Sequence, residues 1–179
     1  MQYNRIEFSE VFVRQFVFLL AFMLVYGASA FAQSSPARLC VAAIGTRDPS
    51  ISPNVTRDAL IKFLGKQKGL QAEKVALDTS DSAEAMTQAK DKKCDYVLDA
   101  TVSEVHSESG YTAGMSGSVN LQTFFVTVNY KLSKVSDGAE QASGSLKASD
   151  RGSAQSAVVA ITKKIAEKVA DSVKSGATK

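Results

Sequence analysis

The stretch Leu39–Ile44, with the sequence LCVAAI, is the feature that most restricts the fold of this chain. It is apolar throughout and ends at Gly45, a pattern typical of a short strand that is buried on both faces. Such a strand needs other secondary structure packed against each side of its sheet. The chain is therefore expected to be an α/β protein whose first strand lies inside the sheet.

Helical and strand patterns alternate after this strand. Asn54 is a suitable N-cap, and apolar residues follow it at helical spacing. Those residues are Val55, Ala59, Leu60, Phe63 and Leu64. The next expected elements are a strand over Val75–Leu77 and a helix opened by the capping-box pair Asp81 and Glu84. Three strands are then expected over Tyr96–Val105, Gln122–Ser133 and Glu140–Ala148, the last after an Asp137–Gly138 turn. A helix over 153–174 is expected to close the domain. The order β-α-β-α-β-β-β-α predicts one α/β (α+β) domain with a mixed five-stranded sheet packed by helices, its first three strands parallel and its last two extending the sheet as a meander.

Two neighbouring segments contain the residues expected to contact a partner. Gln122–Ser133 alternates strictly between apolar and polar residues, which indicates an antiparallel strand with one solvated face. Phe125 interrupts that polar face and indicates a covered surface or a partner site. Residues 107–119 are rich in Gly and Ser and are expected to be a hairpin connection. This connection carries Tyr111 and Met115, which are candidate partner contacts; the alternative is a flexible hairpin tip without a role.

The first residues of the chain have the sequence pattern of an export signal. Phe16–Ala32 has no charged residue, follows Arg14 and closes with small residues around Phe31. This pattern predicts a secretory signal peptide over 1–32, cleaved between Ala32 and Gln33, with an uncleaved membrane anchor as the alternative. The expected organisation is then a polar lead over 33–38, a single α/β envelope domain over 39–174 and a polar tail over 175–179. The expected location is periplasmic or secreted.

The chain has two cysteines, Cys40 and Cys94. Lipidation at Cys40 is not expected, because Leu39 rather than a small residue precedes it. If the first and third strands are parallel neighbours in a sheet ordered 2-1-3, both thiols lie near the same end of the sheet. A structural disulfide is then expected in an exported chain, and two buried free thiols are the alternative.

The supply of catalytic side chains is small, because the chain has one histidine, His106. A Ser103–His106 dyad has poor geometry, since residues three apart on a strand point to opposite faces. One histidine and two distant cysteines make a weak zinc site, so no metal or cofactor is expected. The 21 basic and 18 acidic residues give a mild net charge of +3, without the aromatic-basic interleaving that nucleic-acid binding requires.

Cys94–Val102, with the sequence CDYVLDATV, supports a family resemblance. It follows a strand-helix-strand-helix pattern and precedes a long alternating strand, an Asp-Gly turn and a closing amphipathic helix. In this the chain resembles a bacterial envelope domain found in the amino-terminal part of TolB, the curli-export lipoprotein and penicillin-binding-protein activator lipoproteins. It departs from the family pattern at Gly45-Thr46, where Pro-Phe is usual, at Lys93-Cys94, where Gly-Ala is usual, and in lacking the lipid-attachment signal.

The resemblance implies a non-catalytic adaptor of the cell envelope. The expected function is therefore that of an exported, non-enzymatic adaptor or assembly-accessory protein that binds an envelope protein or a cell-wall component. No nucleic acid is expected as a partner, membrane contact is expected only through the signal peptide unless it stays uncleaved, and a homodimer is allowed. The alternatives are a small secreted hydrolase that uses His106 and a structural or ligand-binding envelope domain without a stable protein partner.

Overall fold

The fold is described from a computed structural model over residues 36–114 and 117–176, with the backbone alone described at 111–114, 117–120 and 175–176. The predicted signal peptide, its cleavage point between Ala32 and Gln33, most of the polar lead, Met115 and the last three residues lie outside this range. The element order is β-α-β-α-β-β-β-α, as the sequence predicts. The elements are β1 (Ala37–Val41), α1 (Pro53–Gly65), β2 (Ala72–Ala76), α2 (Ser82–Asp91), β3 (Tyr96–Gly114), β4 (Gly117–Lys134), β5 (Glu140–Asp150) and α3 (Ala154–Gly176).

The strands form one mixed sheet in the order β2-β1-β3-β4-β5. β1 is parallel to both β2 and β3, and β4 and β5 follow β3 as antiparallel neighbours. The turn between β4 and β5 contains Gly138 with φ of 72°, a conformation that glycine adopts without a steric cost. The mixed α/β architecture predicted from the sequence is therefore confirmed.

Two apolar clusters cover opposite faces of the sheet. The first joins β1, β3 and β4 to α1 and α3, and its fully buried side chains include Leu39, Leu98 and Ile161. The second packs α2 against the other face and includes Leu77 and Ala85. Because β1 contributes alternate residues to both clusters, its run of apolar residues is explained by burial on two sides.

Cys40 and Cys94 form a disulfide within the second cluster, with their Cα atoms 5.9 Å apart. The pairing follows from the topology, because Cys40 lies in β1 and Cys94 lies two residues before the start of β3, the parallel neighbour of β1. The bridge closes a loop of 54 residues. By the loss of chain entropy in the unfolded state, a loop of that length contributes about 4 kcal/mol to stability.

The prediction of a hairpin connection over 107–119 was wrong. β3 continues to Gly114 and β4 begins at Gly117, with regular pairing from Glu104 opposite Thr127 to Gly114 opposite Gly117. Gly and Ser disfavour an isolated strand, but a partner strand in register supplies the hydrogen bonds that hold them extended.

Three smaller expectations about local structure also need correction. α1 begins at Pro53 with Ser52 as its N-cap, not at Asn54, because proline is well suited to the first helical position. In α2 Asp81 does cap the helix, but the Glu84 carboxylate accepts a hydrogen bond from the Thr79 hydroxyl instead of completing a capping box. On β4 the face expected to be solvated is buried at Thr127 and at Ser133, the latter opposite Val97 of the second cluster.

Candidate functional site

β3 and β4 extend well beyond the rest of the sheet. The last pair between β4 and β5 joins Phe124 to Asp150, and the last bridge between the β1 region and β3 joins Gly45 to Thr101. Ser107–Gly114 and Gly117–Thr123 therefore pair only with each other within the described part of the chain; we call these two segments the ribbon. At about 3.3 Å per residue, the eight residues of its first strand extend about 26 Å from the body of the domain.

A β-bulge marks the point where β3 leaves the body. Val102 lies opposite Val128 and Glu104 lies opposite Thr127, so Ser103 has no residue of its own across the ladder. A bulge bends a strand and re-aims the side chains that follow it. Here it places Glu104, His106 and Glu108, which alternate with inward residues such as Val105, on the face of the sheet opposite α1 and α3, which we call the outer face.

His106 and Phe125 form an aromatic pair on the outer face. They lie opposite each other in the β3–β4 ladder, and their rings are stacked with centroids 5.0 Å apart and planes 8° apart. The His106 Nδ1 is 3.6 Å from a carboxylate oxygen of Glu104, and both side chains are about half exposed. Stacking on Phe125 and the nearby carboxylate give His106 a fixed position on the surface.

The Ser103–His106 dyad does not form. The Ser103 hydroxyl donates a hydrogen bond to the main-chain carbonyl of Thr127 at 3.3 Å, rather than to the imidazole. The bulge is the cause, because it turns Ser103 toward the neighbouring strand. His106 therefore has no positioned nucleophile at Ser103.

A shallow groove of about 390 Å³ lies across β3, β4 and β5 beside this aromatic pair. Its lining residues are Glu104, His106, Phe125, Val126, Thr127, Lys147, Ala148 and Ser149. The stacked rings form one wall, and one cation and one carboxylate lie among hydroxyl groups. This mixture of an aromatic surface with polar groups is suited to contacts with another macromolecule.

A second, larger cleft of about 800 Å³ lies where β1 ends and β3 continues. One wall is the turn Thr46–Pro49, and the opposite wall is the segment of β3 around the bulge. In the turn, the Asp48 carboxylate accepts hydrogen bonds from the Ser50 hydroxyl at 2.6 Å and the Ser50 N–H at 2.8 Å. These two bonds, the hydroxyl's first, lower the pKa of Asp48 below its ordinary value.

Two of the predicted partner contacts, Tyr111 and Phe125, lie in or beside the ribbon. Phe125 is half-buried at its base, against His106. Tyr111 lies within β3 opposite Asn120, where the backbone alone is described. The third, Met115, lies outside the described residues.

Within residues 36–114 and 117–176, no group of three or more His, Cys, Asp or Glu side chains is arranged to hold a metal ion. Among the helices that the structure describes, none has the length and apolar character needed to cross a membrane.

No model of a known protein family matches the sequence, and no curated protein sequence is significantly similar to it. Solved structures do match. XCC0632 from Xanthomonas campestris, described under the family model DUF330, is 15% identical over 82% of this chain and 93% of its own, with a TM-score of 0.52. The hypothetical protein CT253 from Chlamydia trachomatis is 10% identical over 76% of this chain and 97% of its own, with a TM-score of 0.50. At these identities the likeness shows the fold alone.

A third match is the PelC dodecamer from Paraburkholderia phytofirmans, which is 22% identical over 75% of this chain and 87% of its own, with a TM-score of 0.49.

Sequence reasoning missed the aromatic pair and the larger cleft. His106 was treated as an isolated polar residue, because its neighbour Phe125 is known only once the register of β3 and β4 is known. The cleft depends on β1 ending where β3 continues, and no local pattern contains that information. A useful signal was nevertheless present, since Phe125 interrupts an otherwise polar face.

Proposed function

We propose that this chain is an exported, non-enzymatic adaptor or assembly-accessory protein of the bacterial cell envelope that binds a protein or cell-wall partner. The observation that carries the proposal is the ribbon. A two-stranded hairpin without a third strand or a covering helix is at best marginally stable in water. A long ribbon of this kind therefore gains stability by contact with a partner.

Two features support export to an oxidising compartment. The predicted signal peptide over 1–32, with its cleavage between Ala32 and Gln33, directs the chain out of the cytoplasm. The disulfide between Cys40 and Cys94 is of a kind that persists in the periplasm or outside the cell and is rare in the cytosol. The resemblance to the envelope domain of TolB and its relatives agrees with a periplasmic or secreted location.

The geometry supports binding better than hydrolysis. His106 stacks on Phe125, and the hydroxyl of Ser103 is engaged by the Thr127 carbonyl. A nucleophile within hydrogen-bond reach of its base is the usual requirement for acyl transfer. The outer face instead combines an aromatic pair with scattered polar groups, which is an arrangement suited to a binding surface.

We assign the partner contact to the ribbon and its base. Tyr111 lies in the ribbon, Met115 follows Gly114 in the sequence, and Phe125 lies at the base of the ribbon beside the groove. The partner is an envelope protein or a cell-wall component, and a second copy of this chain is included among the proteins.

The test is a cross-linked capture from the native envelope with a matched pair of variants. In the first variant Ser109–Gln122 is replaced by Asn-Gly, a two-residue turn suited to joining Glu108 to Thr123. The second variant, Asn129→Ala with Lys131→Ala, changes exposed residues of β4 within the body of the sheet. Both variants are first checked for an unchanged thermal unfolding midpoint of the body.

The proposal expects one reproducible partner with the native chain and with the Asn129→Ala/Lys131→Ala variant, and none with the shortened ribbon. Equal capture by the shortened variant would show that the contact lies outside the ribbon. Recovery of the native chain alone, with activity toward an ester or peptide substrate that His106→Ala removes, would replace the adaptor proposal with the hydrolase alternative.

A further inference from the structure

The backbone of the ribbon has a free edge along β3, and its orientation follows from the hydrogen bonds of the body. The Gly45 N–H donates to the Ala100 carbonyl at 2.9 Å, and the Val102 N–H donates to the Gly45 carbonyl at 2.7 Å. Before the bulge, the even-numbered residues of β3 therefore direct their main-chain N–H and C=O groups toward β1. After the bulge the alternation shifts by one, so that Val105, Ser107 and Ser109 direct their main-chain groups to that side.

The large cleft lies at the start of this free edge. Its walls include Pro49, Val102 and Val105, and the turn after β1 closes one end. On this side of β3, pairing ends at the bridge between Gly45 and Thr101. A strand paired with β3 beyond Thr101 would occupy the place that a longer β1 would fill. The cleft of about 800 Å³ would then receive the side chains at one end of the added strand.

Beyond Thr101 the edge strand itself carries neither lysine nor proline, although the bulge and the turn residues Arg47 and Pro49 lie at its start. Natural proteins commonly shield an exposed edge with lysine or proline. Residues 102–130 contain no Lys, Arg or Pro, although the whole chain has 21 basic residues and a net charge of +3. The only formal charges in this segment are the carboxylates of Glu104 and Glu108, which share the outer face with His106.

From these observations we infer that the free edge of β3 binds an extended basic segment of a partner protein by β-strand addition. Main-chain hydrogen bonds to Val105, Ser107 and Ser109 hold the segment. Its Lys or Arg side chains lie on the outer face beside Glu104 and Glu108, and its apolar side chains lie beside Val102 and Val105. Main-chain pairing with alternate side-chain pockets is an established mode of peptide recognition. The inference rests on the proposed adaptor function and names its partner chemistry.

The experiment is an NMR titration of the ¹⁵N-labelled protein, purified after export with its disulfide formed. The probe is a synthetic ten-residue peptide in which Lys alternates with Val or Thr. Two control peptides carry Glu in place of every Lys or Pro at alternate positions. The expected result is a change in the amide shifts of Val105, Ser107 and Ser109 with the Lys peptide, weakening as salt is raised, and no change with either control peptide.

Ser109 and Gln122 supply a matched pair of variants, because they face each other across the ribbon and direct their N–H groups to opposite edges. Ser109→Pro removes a donor from the β3 edge without removing a hydrogen bond between β3 and β4, and Gln122→Pro does the same at the β4 edge. Ser109→Pro is expected to weaken binding of the Lys peptide at least tenfold, whereas Gln122→Pro leaves it within twofold. Glu108→Gln is expected to weaken it several-fold.

Strand addition at β3 is overturned if Gln122→Pro weakens binding as much as Ser109→Pro, or if the Glu peptide binds as tightly as the Lys peptide. It is also overturned if the Lys peptide causes no shift at millimolar concentration. The adaptor proposal is separate from these outcomes. A partner captured by the native chain and by Ser109→Pro, but not by the shortened ribbon, would retain the adaptor and exclude the β3 edge.

Discussion

The body of the domain and the ribbon belong to the same pair of strands but are stabilised differently. In the body, β3 and β4 are covered by α1 and α3, and residues such as Leu98, Val128 and Leu132 are fully buried. Among the residues that the structure describes, no third strand lies beside the ribbon, and Ser107, Glu108 and Ser109 are exposed. Extended backbone in the body is held by apolar burial, whereas in the ribbon it is held by pairing alone.

This difference divides the molecule into a part held by burial and a part held by pairing. Burying apolar side chains stabilises the body, at roughly 25 cal/mol per Å². The side chains described in the first strand of the ribbon, Ser107–Ser109, are exposed and add little to this stabilisation. The predictions that follow test this division, from the largest expected effect to the smallest.

The disulfide should make the largest single contribution to the body. Replacing Cys40 and Cys94 together with Ala is expected to lower the free energy of unfolding by about 4 kcal/mol, because the unfolded chain regains the freedom of a 54-residue loop. Urea unfolding followed by far-UV circular dichroism measures the change. A loss below 1 kcal/mol would show that the body does not depend on this bridge.

The cap of α2 should contribute less, but still measurably. The Asp81 carboxylate accepts hydrogen bonds from the N–H groups of Ala83 at 3.0 Å and Glu84 at 2.9 Å. Asp81→Ala is expected to cost about 1 kcal/mol of unfolding free energy. The matched control is Asp91→Ala at the other end of the same helix, where a carboxylate is disfavoured by the helix dipole, so the loss should be absent.

Amide hydrogen exchange should separate the two regions within one molecule. Amides of Leu98 and Val128 are expected to exchange only by global unfolding, whereas those of Glu108 and Gly110 exchange by local opening of the ribbon. The rates should differ by at least a hundredfold when the intrinsic rates are equal. Equal protection in the two regions would mean that the ribbon is stabilised by more than its own pairing.

The smallest expected effect is a pH effect at the turn after β1. Ser50→Ala removes the hydroxyl that donates to Asp48, so the pKa of Asp48 should rise toward its ordinary value of 3.8 while the Ser50 N–H keeps it somewhat low. The lowered pKa stabilises the folded state at pH values above the ordinary pKa of the group. This stabilisation is lost as the pH falls through the pKa that the group has in the folded state. Carboxylate shifts followed by NMR from pH 2 to pH 6 test this, and an unchanged Asp48 midpoint would contradict it.

Patterns that depend on burial could be predicted from the sequence. The apolar run from Leu39 identified β1, and the alternation around Val126 and Val128 identified β4, because core contacts determine those residues. The turn at Asp137–Gly138 was also predictable, since its glycine has a positive φ. In each case one local property determined the structure.

Features that depend on register could not be predicted in this way. Ser107–Gly114 resembles a loop by composition and is a strand only because β4 lies in register beside it. Arg57 was not expected in the interior, yet its guanidinium is mostly buried and donates to the Leu77 carbonyl at 2.8 Å while pairing with Asp78. Conversely, Val55 fits the helical spacing of the core but is 55% exposed, because the buried face of α1 follows Thr56, Leu60 and Leu64.

The most direct test of the central claim is site-specific photo-cross-linking in the native envelope. A photoreactive amino acid is placed at Ser109 or Gln122 in the ribbon, or at Lys131 in the body or Lys163 on α3, all of which are exposed. The account predicts that one protein partner is cross-linked from Ser109, with weaker or no product from Lys131 and Lys163. Products from Lys131 or Lys163 with none from either ribbon position would contradict the claim that the ribbon is the contact surface.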